Sequence, residues 1–195
     1  MGISITATNH STETYIITPE DLTAIIETHG QAITRYCNSI LCDYHEAQDA
    51  AQTTFVKAYT KRHQVRTITS NPHQQTTNSP HQPKNSILPW LYKIAYNTCI
   101  DNLRKKKFLF LFDTKTPEAT YEMPDTTMSD ELKTALQVLS PKERALVFNR
   151  AIDKLEYKEL TKIYNASESA LHKRYERAKK KLAKAILEQR EEQAQ

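Results

Sequence analysis

Glycine is nearly absent: Gly2 and Gly30 are the only two among 195 residues. Tight β-hairpins draw on glycine for positive-φ backbone, so a strand-rich fold is disfavoured and an all-α fold is the expectation. The three cysteines, Cys37, Cys42 and Cys99, form an odd set without a CxxC pair. That speaks against a disulfide framework and for small buried side chains in a reduced compartment. The longest apolar run, Phe108-Leu109-Phe110-Leu111-Phe112, is only five residues, far short of the ~20 a membrane span needs. The first residues are polar and Thr-rich and carry no signal-peptide pattern. A cytoplasmic chain without membrane insertion is expected. Nucleophile motifs, glycine-rich phosphate loops and tight His/Cys clusters are also missing. His63, His73 and His81 fit no standard zinc spacing. Neither an enzyme nor a cofactor or metal site is expected.

What is present is a patterned distribution of charge. The formal net charge is only +4. Yet Tyr157 to Leu187 holds nine basic residues (Lys158, Lys162, Lys173, Arg174, Arg177, Lys179, Lys180, Lys181, Lys184) against three acids, Glu159, Glu168 and Glu176. A second block, Arg104 to Lys107, closes an otherwise apolar stretch. Two separated basic blocks suit a polyanion touched at two places. Two solvated helix ends would account for the charge alone equally well.

Along the chain, residues 1–17 lack periodicity and are expected to be disordered. Thr18-Pro19-Glu20-Asp21 reads as a helix start, with Thr18 as N-cap and Pro19 in the first helical position. Leu22, Ile25, Ile26, Ile33, Tyr36, Ile40 and Leu41 follow at helical spacing. Asp43-Tyr44-His45-Glu46 resembles a capping box that opens a second helix to about Lys61. The segment 62–88 is rich in Gln, Asn, Thr, Ser, His and Pro, which reads as a long polar loop inside a first module of 18–107. A helix is expected from Pro89-Trp90 to about Lys107, then a flexible linker over 108–128. A second module spans 129–187, with 188–195 as a tail. In it, Ser140-Pro141-Lys142-Glu143 is a capping box with proline at the first helical position.

The end of the second module has the spacing of a helix-turn-helix. A short helix at about Tyr157–Tyr164 is followed by Asn165-Ala166-Ser167 and a long final helix. Asn165 can adopt the left-handed turn conformation, and Ser167 can cap the next helix. Leu171, Tyr175, Ala178 and Leu182 make the buried face of that helix. Ser169, Lys173, Glu176, Arg177 and Lys180 point the other way, with His172, Arg174 and Lys179 on the flanks. Ser169, His172, Lys173 and Glu176 are therefore candidates for base contacts. Arg174, Arg177 and Lys180 are candidates for phosphate contacts. An ordinary amphipathic helix with a charged outer face is the plainer alternative.

The helix after Pro89 is apolar almost all round. Lys93, Asn97, Asp101 and Arg104 fall on one narrow stripe, continued by Lys105. A helix buried on most sides that keeps one mixed-charge stripe open presents it to something, although Asp101 pairing with Arg104 or Lys105 would also explain it.

Three segments carry a family resemblance. Glu46-Ala47-Gln48-Asp49-Ala50-Ala51-Gln52-Thr53-Thr54-Phe55 resembles the polymerase-binding helix of extracytoplasmic-function sigma factors. Trp90-Leu91-Tyr92-Lys93-Ile94-Ala95-Tyr96-Asn97, with Asp101-Asn102-Leu103-Arg104, resembles their promoter-melting helix. Leu139-Ser140-Pro141-Lys142-Glu143-Arg144 through Ala178 is similar to their region 4. The resemblance covers about 19–107 and 129–187. It implies two helical domains and a sigma factor that directs promoter-specific initiation. Asp49, Gln52 and Phe55 would bind or support the coiled coil of the polymerase's largest subunit. Lys93, Asn97, Asp101, Arg104 and Lys105 would engage and open the minus-ten element. The second module would read the minus-thirty-five element and dock on the polymerase flap. An anti-sigma factor is a further partner the family implies. The sequence departs from the pattern in its long 62–88 loop, in Thr53, and in Ser169-Ala170 at the start of the recognition helix, so base preferences do not transfer. A stand-alone helix-turn-helix regulator that never joins polymerase is the main rival, and a sigma-like antagonist without a DNA role is another.

Overall fold

The computed structural model describes residues 19–62, 87–112 and 130–193, and every regular element in them is helical. The order is α1 (Pro19–Leu41), α2 (Tyr44–Thr60), α3 (Leu88–Phe112), α4 (Asp130–Gln137), α5 (Pro141–Val147), a π-helical turn (Phe148–Ile152), α6 (Tyr157–Tyr164) and α7 (Glu168–Gln193). The all-α expectation holds over these residues. Residues 1–18, nearly all of the polar loop and most of the linker lie outside them. No helix of the described residues is long and apolar enough to cross a membrane.

Helices α1, α2 and α3 pack mutually to form the first unit. Ile33, Tyr36 and Ile40 from α1 meet Ala47, Ala50 and Ala58 from α2, with Leu91, Tyr92 and Ala95 from α3. Small α2 alanines let the three helices approach closely, and each large aliphatic side chain buried there contributes about 1.5–3 kcal/mol. Cys37 and Cys99 are buried free thiols of this core, as expected of structural cysteines, whereas Cys42 is half-buried. The neighbouring Cys99 and burial together push the Cys37 thiol well above its ordinary range, which keeps it protonated and inert.

Local chemistry sets the element ends. Asp43 Oδ1 accepts from the Glu46 amide at 2.9 Å. The reciprocal arm of the expected capping box is not formed, because Glu46 Oε1 takes a hydrogen bond from Lys106 Nζ of α3 at 2.6 Å. The Ser140/Glu143 box is complete, with Pro141 in the first turn. Helix α3 runs past Lys107 through the Phe/Leu run to Phe112: good helix formers and an already nucleated helix outweigh the linker reading. With glycine so scarce, left-handed backbone falls to Cys42 (φ 56°), Lys154 (φ 55°) and Asn165 (φ 50°).

Helices α4 to α7 form the second unit. Leu136, Leu139 and Ala178 make a small core of their own, lined by Val147 and Leu182. Its larger apolar residues, Leu146, Leu155, Leu160, Ile163 and Leu171, instead run into the core of the first unit. Helix α5 packs on α1, and α6 packs on α3. The two units thus share one continuous interior.

Candidate nucleic-acid and polymerase interface

Helix α6, the turn and helix α7 form the expected helix-turn-helix. Asn165 occupies the left-handed region (φ 50°, ψ 50°) and ends α6. The Ser167 hydroxyl accepts from the Ala170 amide at 3.3 Å, capping α7. Leu171 and Ala178 are fully buried, with Tyr175 and Leu182 half-buried beside them. That anchors one face and turns Ser169, His172, Lys173, Arg177 and Lys180 to solvent, while Arg174 and Glu176 are half-buried.

Several of these side chains are already engaged. The His172 ring packs against Tyr157, with centroids 5.3 Å apart. Arg150 in turn lies over Tyr157 at 5.2 Å. Glu176 Oε1 pairs with Lys179 Nζ at 3.4 Å, and Arg177 Nε donates to the Lys173 carbonyl at 3.3 Å. Exposed contacts of this sort are worth only a few tenths of a kcal/mol, so they orient the side chains without withholding them. Lys181 is held more firmly. Its Nζ lies 2.8 Å from Glu143 Oε1, across from α7 to α5. Glu143 Oε2 also accepts from the Ser140 amide and hydroxyl. Burial alone would raise the Glu143 carboxyl, but the Lys181 and Ser140 hydrogen bonds prevail and bring it down from 4.5 to about 2.

On α3, Leu91, Tyr92, Ile94, Ala95, Thr98 and Cys99 are buried, and Lys93, Asn97, Asp101, Arg104 and Lys105 are exposed. The expected stripe is therefore real. Asp101 does pair with Arg104 at 3.1 Å, the plain alternative for that residue, yet an exposed i,i+3 pair worth ~0.2–0.5 kcal/mol opens easily. Beside the stripe, Trp90 and Tyr96 are half-buried, and Tyr92 is wholly buried. Trp90 and Tyr96 alone of these three aromatics keep some solvent exposure.

The outer face of α2 carries Gln48, Asp49, Gln52, Thr53 and Val56, all exposed. Phe55, expected with Asp49 and Gln52 to bind or support a partner, is only 7% exposed and packs in the core beneath that face. Lys106, tied to Glu46, brackets α2 against the basic end of α3.

Sequence reasoning missed the residues between the units. Arg144 is 9% exposed. Its Nε and Nη2 donate to the Ile40 carbonyl at 3.2 and 2.6 Å, and its Nη1 donates to the Leu139 carbonyl at 2.9 Å. The Tyr36 and Tyr164 hydroxyls are 3.1 Å apart, and Asn149 Nδ2 donates to the Tyr164 hydroxyl at 3.0 Å. Tyr96 stacks edge-on against Tyr164, with centroids 4.9 Å apart. Nothing in helical periodicity separates such tyrosines from ordinary core residues.

Known proteins resemble the chain in both halves. Residues 25–73 match the family Sigma-70 region 2, and residues 129–182 match Sigma-70, region 4. The ECF RNA polymerase sigma factor SigW of Bacillus subtilis is 27% identical over 178 residues, covering 83% of this chain and 87% of that protein. The RNA polymerase sigma factor YlaC of the same organism is 29% identical over 156 residues, covering 75% and 81%. Among solved structures, the sigma factor RpoE in complex with the anti-sigma factor NepR, from Bartonella quintana, superposes with a TM-score of 0.62 at 18% identity, covering 86% of this chain and 97% of that one. CnrH in complex with the cytosolic domain of CnrY gives 0.57 at 20% identity, covering 88% and 90%. At such identities these two likenesses speak for the fold.

Proposed function

Because the chain belongs to the sigma-70 family, as an extracytoplasmic-function sigma factor that directs promoter-specific transcription initiation, we propose a division of labour among its exposed faces. Asp49 and Gln52, on the outer face of α2, bind the coiled coil of the largest polymerase subunit, with Phe55 holding that face rigid. Lys93, Asn97, Asp101, Arg104 and Lys105 engage the minus-ten element and help open it. Unpaired bases need apolar or aromatic surfaces to stack on, and the exposed edges of Trp90 and Tyr96 flank the stripe. On α7, Ser169, His172, Lys173 and Glu176 read the minus-thirty-five element, while Arg174, Arg177 and Lys180 hold its phosphates. The second unit also docks on the polymerase flap. The chain works in the cytoplasm as a non-enzymatic subunit, and an anti-sigma factor is its natural antagonist.

The observation that carries this reading is the α3 stripe. A stand-alone helix-turn-helix regulator has no use for a first unit that exposes mixed charge on an otherwise buried helix. The test is reconstitution of the purified chain with sigma-free core polymerase on promoter templates. Transcription that depends on both chain and promoter is the expected result. Failure to bind core would refute the reading, and binding without transcription would point to an antagonist.

A further inference from the structure

Of the four side chains assigned to base edges, Ser169, His172, Lys173 and Glu176, only His172 is held by a different helix among the described residues. Its ring packs on that of Tyr157, with centroids 5.3 Å apart and planes inclined at 43°. Tyr157 is the first residue of α6, and His172 lies in the second turn of α7. Glu176, by contrast, pairs with Lys179 of its own helix. Base preference does not carry over from the family, because Ser169-Ala170 departs from its pattern. Whatever fixes that preference lies in this chain's own geometry.

Tyr157 is itself fixed by its neighbours. The Arg150 guanidinium lies 5.2 Å from the centre of its ring, within the range of cation–π attraction. Arg150 Nη1 also donates to the Leu155 carbonyl at 3.4 Å. The Leu155 amide donates to the Asn149 carbonyl at 3.0 Å, and Leu155 is fully buried. The chain entering α6 is therefore tied down on both sides of Leu155. Glu159 Oε2 then accepts from the Glu156 amide at 2.9 Å and sets the first turn of α6. Arg150 and Tyr157 are half-buried, whereas His172 is exposed. Three elements thus supply one stack, and it ends in an exposed imidazole.

An exposed side chain left to itself exchanges rotamers in picoseconds to nanoseconds. A base contact needs a donor or acceptor at about 3 Å and nearly in line. Ordering a side chain at an interface has a cost, and a ring already packed on its neighbour has met that cost before DNA arrives. Aromatic pairs favour particular mutual orientations, so the neighbour selects which way the imidazole points. A contact between rings also leaves both imidazole nitrogens able to meet the hydrogen-bonding edge of a base.

Resting on the assignment of α7 to the minus-thirty-five element, we propose that Tyr157, backed by Arg150, is a positioning residue for base recognition. It holds the His172 ring in one orientation and so sets the preferred base at the position of that element which His172 meets. Tyr157 acts through His172 and not on the base itself. A Tyr157 hydroxyl placed on a phosphate would instead add affinity for every sequence alike.

The experiment titrates holoenzyme, reconstituted from core polymerase and the full chain, on promoter duplexes with each base at each position of the minus-thirty-five element. His172→Ala first locates the position that His172 reads. Tyr157→Leu is expected to lower discrimination there by about two- to tenfold, the range for ordering one side chain, and to leave the ranking elsewhere intact. Arg150→Met should act in the same direction but less, and Tyr157→Phe, which keeps the ring, should retain the wild-type ranking. On the His172→Ala background, Tyr157→Leu should have no further effect at that position. In the free chain, three-bond couplings of isotope-labelled His172 should report one χ1 rotamer, and averaging in Tyr157→Leu. The proposal is overturned if Tyr157→Leu weakens all sequences equally, or if Tyr157→Phe is as damaging as Tyr157→Leu. It is equally overturned if the wild-type His172 rotamer is averaged, or if His172→Ala changes the ranking nowhere. Should Tyr157→Leu fail to fold, Arg150→Met and the wild-type couplings decide. A wild-type holoenzyme that binds no promoter would count against the sigma-factor reading, whereas the free-chain couplings judge the stack without polymerase.

Discussion

Lys173 and Lys180 lie on one exposed face of α7, two turns apart, but have different expected tasks. Lys173 is near the N-terminal turns that reach base edges, and Lys180 lies farther along, where phosphates pass. Lys173→Ala should therefore change the ranking of minus-thirty-five sequences, by about 1–3 kcal/mol at one position. Lys180→Ala should weaken all sequences alike and reduce the salt slope by about 1. Binding titrations of the complete holoenzyme on a promoter panel at several salt concentrations separate the two. Identical profiles for both variants would dismiss the division. At this scale the sequence was a good guide where a residue's role follows from its own local surroundings. Asn165 in left-handed backbone and Ser167 as a cap are examples. Phe55 was less legible, because its neighbours Asp49 and Gln52 are exposed and only the packing of α2 against α1 and α3 decides which way its ring turns. Cys42 and Lys154 at positive φ were not legible at all, since neither residue type advertises that conformation.

Among the elements, α5 and α7 are joined by Glu143. Its carboxylate completes the N-terminal box of α5 and receives Lys181 of α7. Glu143→Gln should cost about 1 kcal/mol at neutral pH, a cap's worth, with little added for the partly exposed lysine. The folded carboxyl titrates at about 2, below its ordinary 4.5. Its contribution is thus complete above pH 4.5 and is lost as the pH falls towards 2. Urea midpoints for the wild type and the variant should differ at pH 7 and converge near pH 2; a gap that persists at pH 2 would mean the carboxylate charge is irrelevant. Element positions were legible wherever caps and periodicity agree, as at Tyr157–Tyr164. They were not at Phe148–Ile152, where a π-helical turn follows α5 and no cap or periodicity signals it. The stop of α3 was also misplaced, as a Phe/Leu run is as helical as it is linker-like.

At the level of the whole molecule, the two-unit plan was legible from three motifs in order, but the common core was not. Periodicity identifies a buried face without naming what buries it, and Leu146, Leu160 and Ile163 would have satisfied a separate second unit equally well. Because they continue the interior of the first unit, the free chain should unfold in one calorimetric transition. Arg144→Met should split or broaden it. Two resolved transitions in the wild type would mean that the seam contributes little to stability.

Tyr164 belongs to both halves at once: its hydroxyl serves the Tyr36 side, and its backbone leads straight into the turn between α6 and α7. A ligand that displaces Tyr164 from one half would also disturb the other, and because linkage is reciprocal the converse effect on affinity would be equal in size.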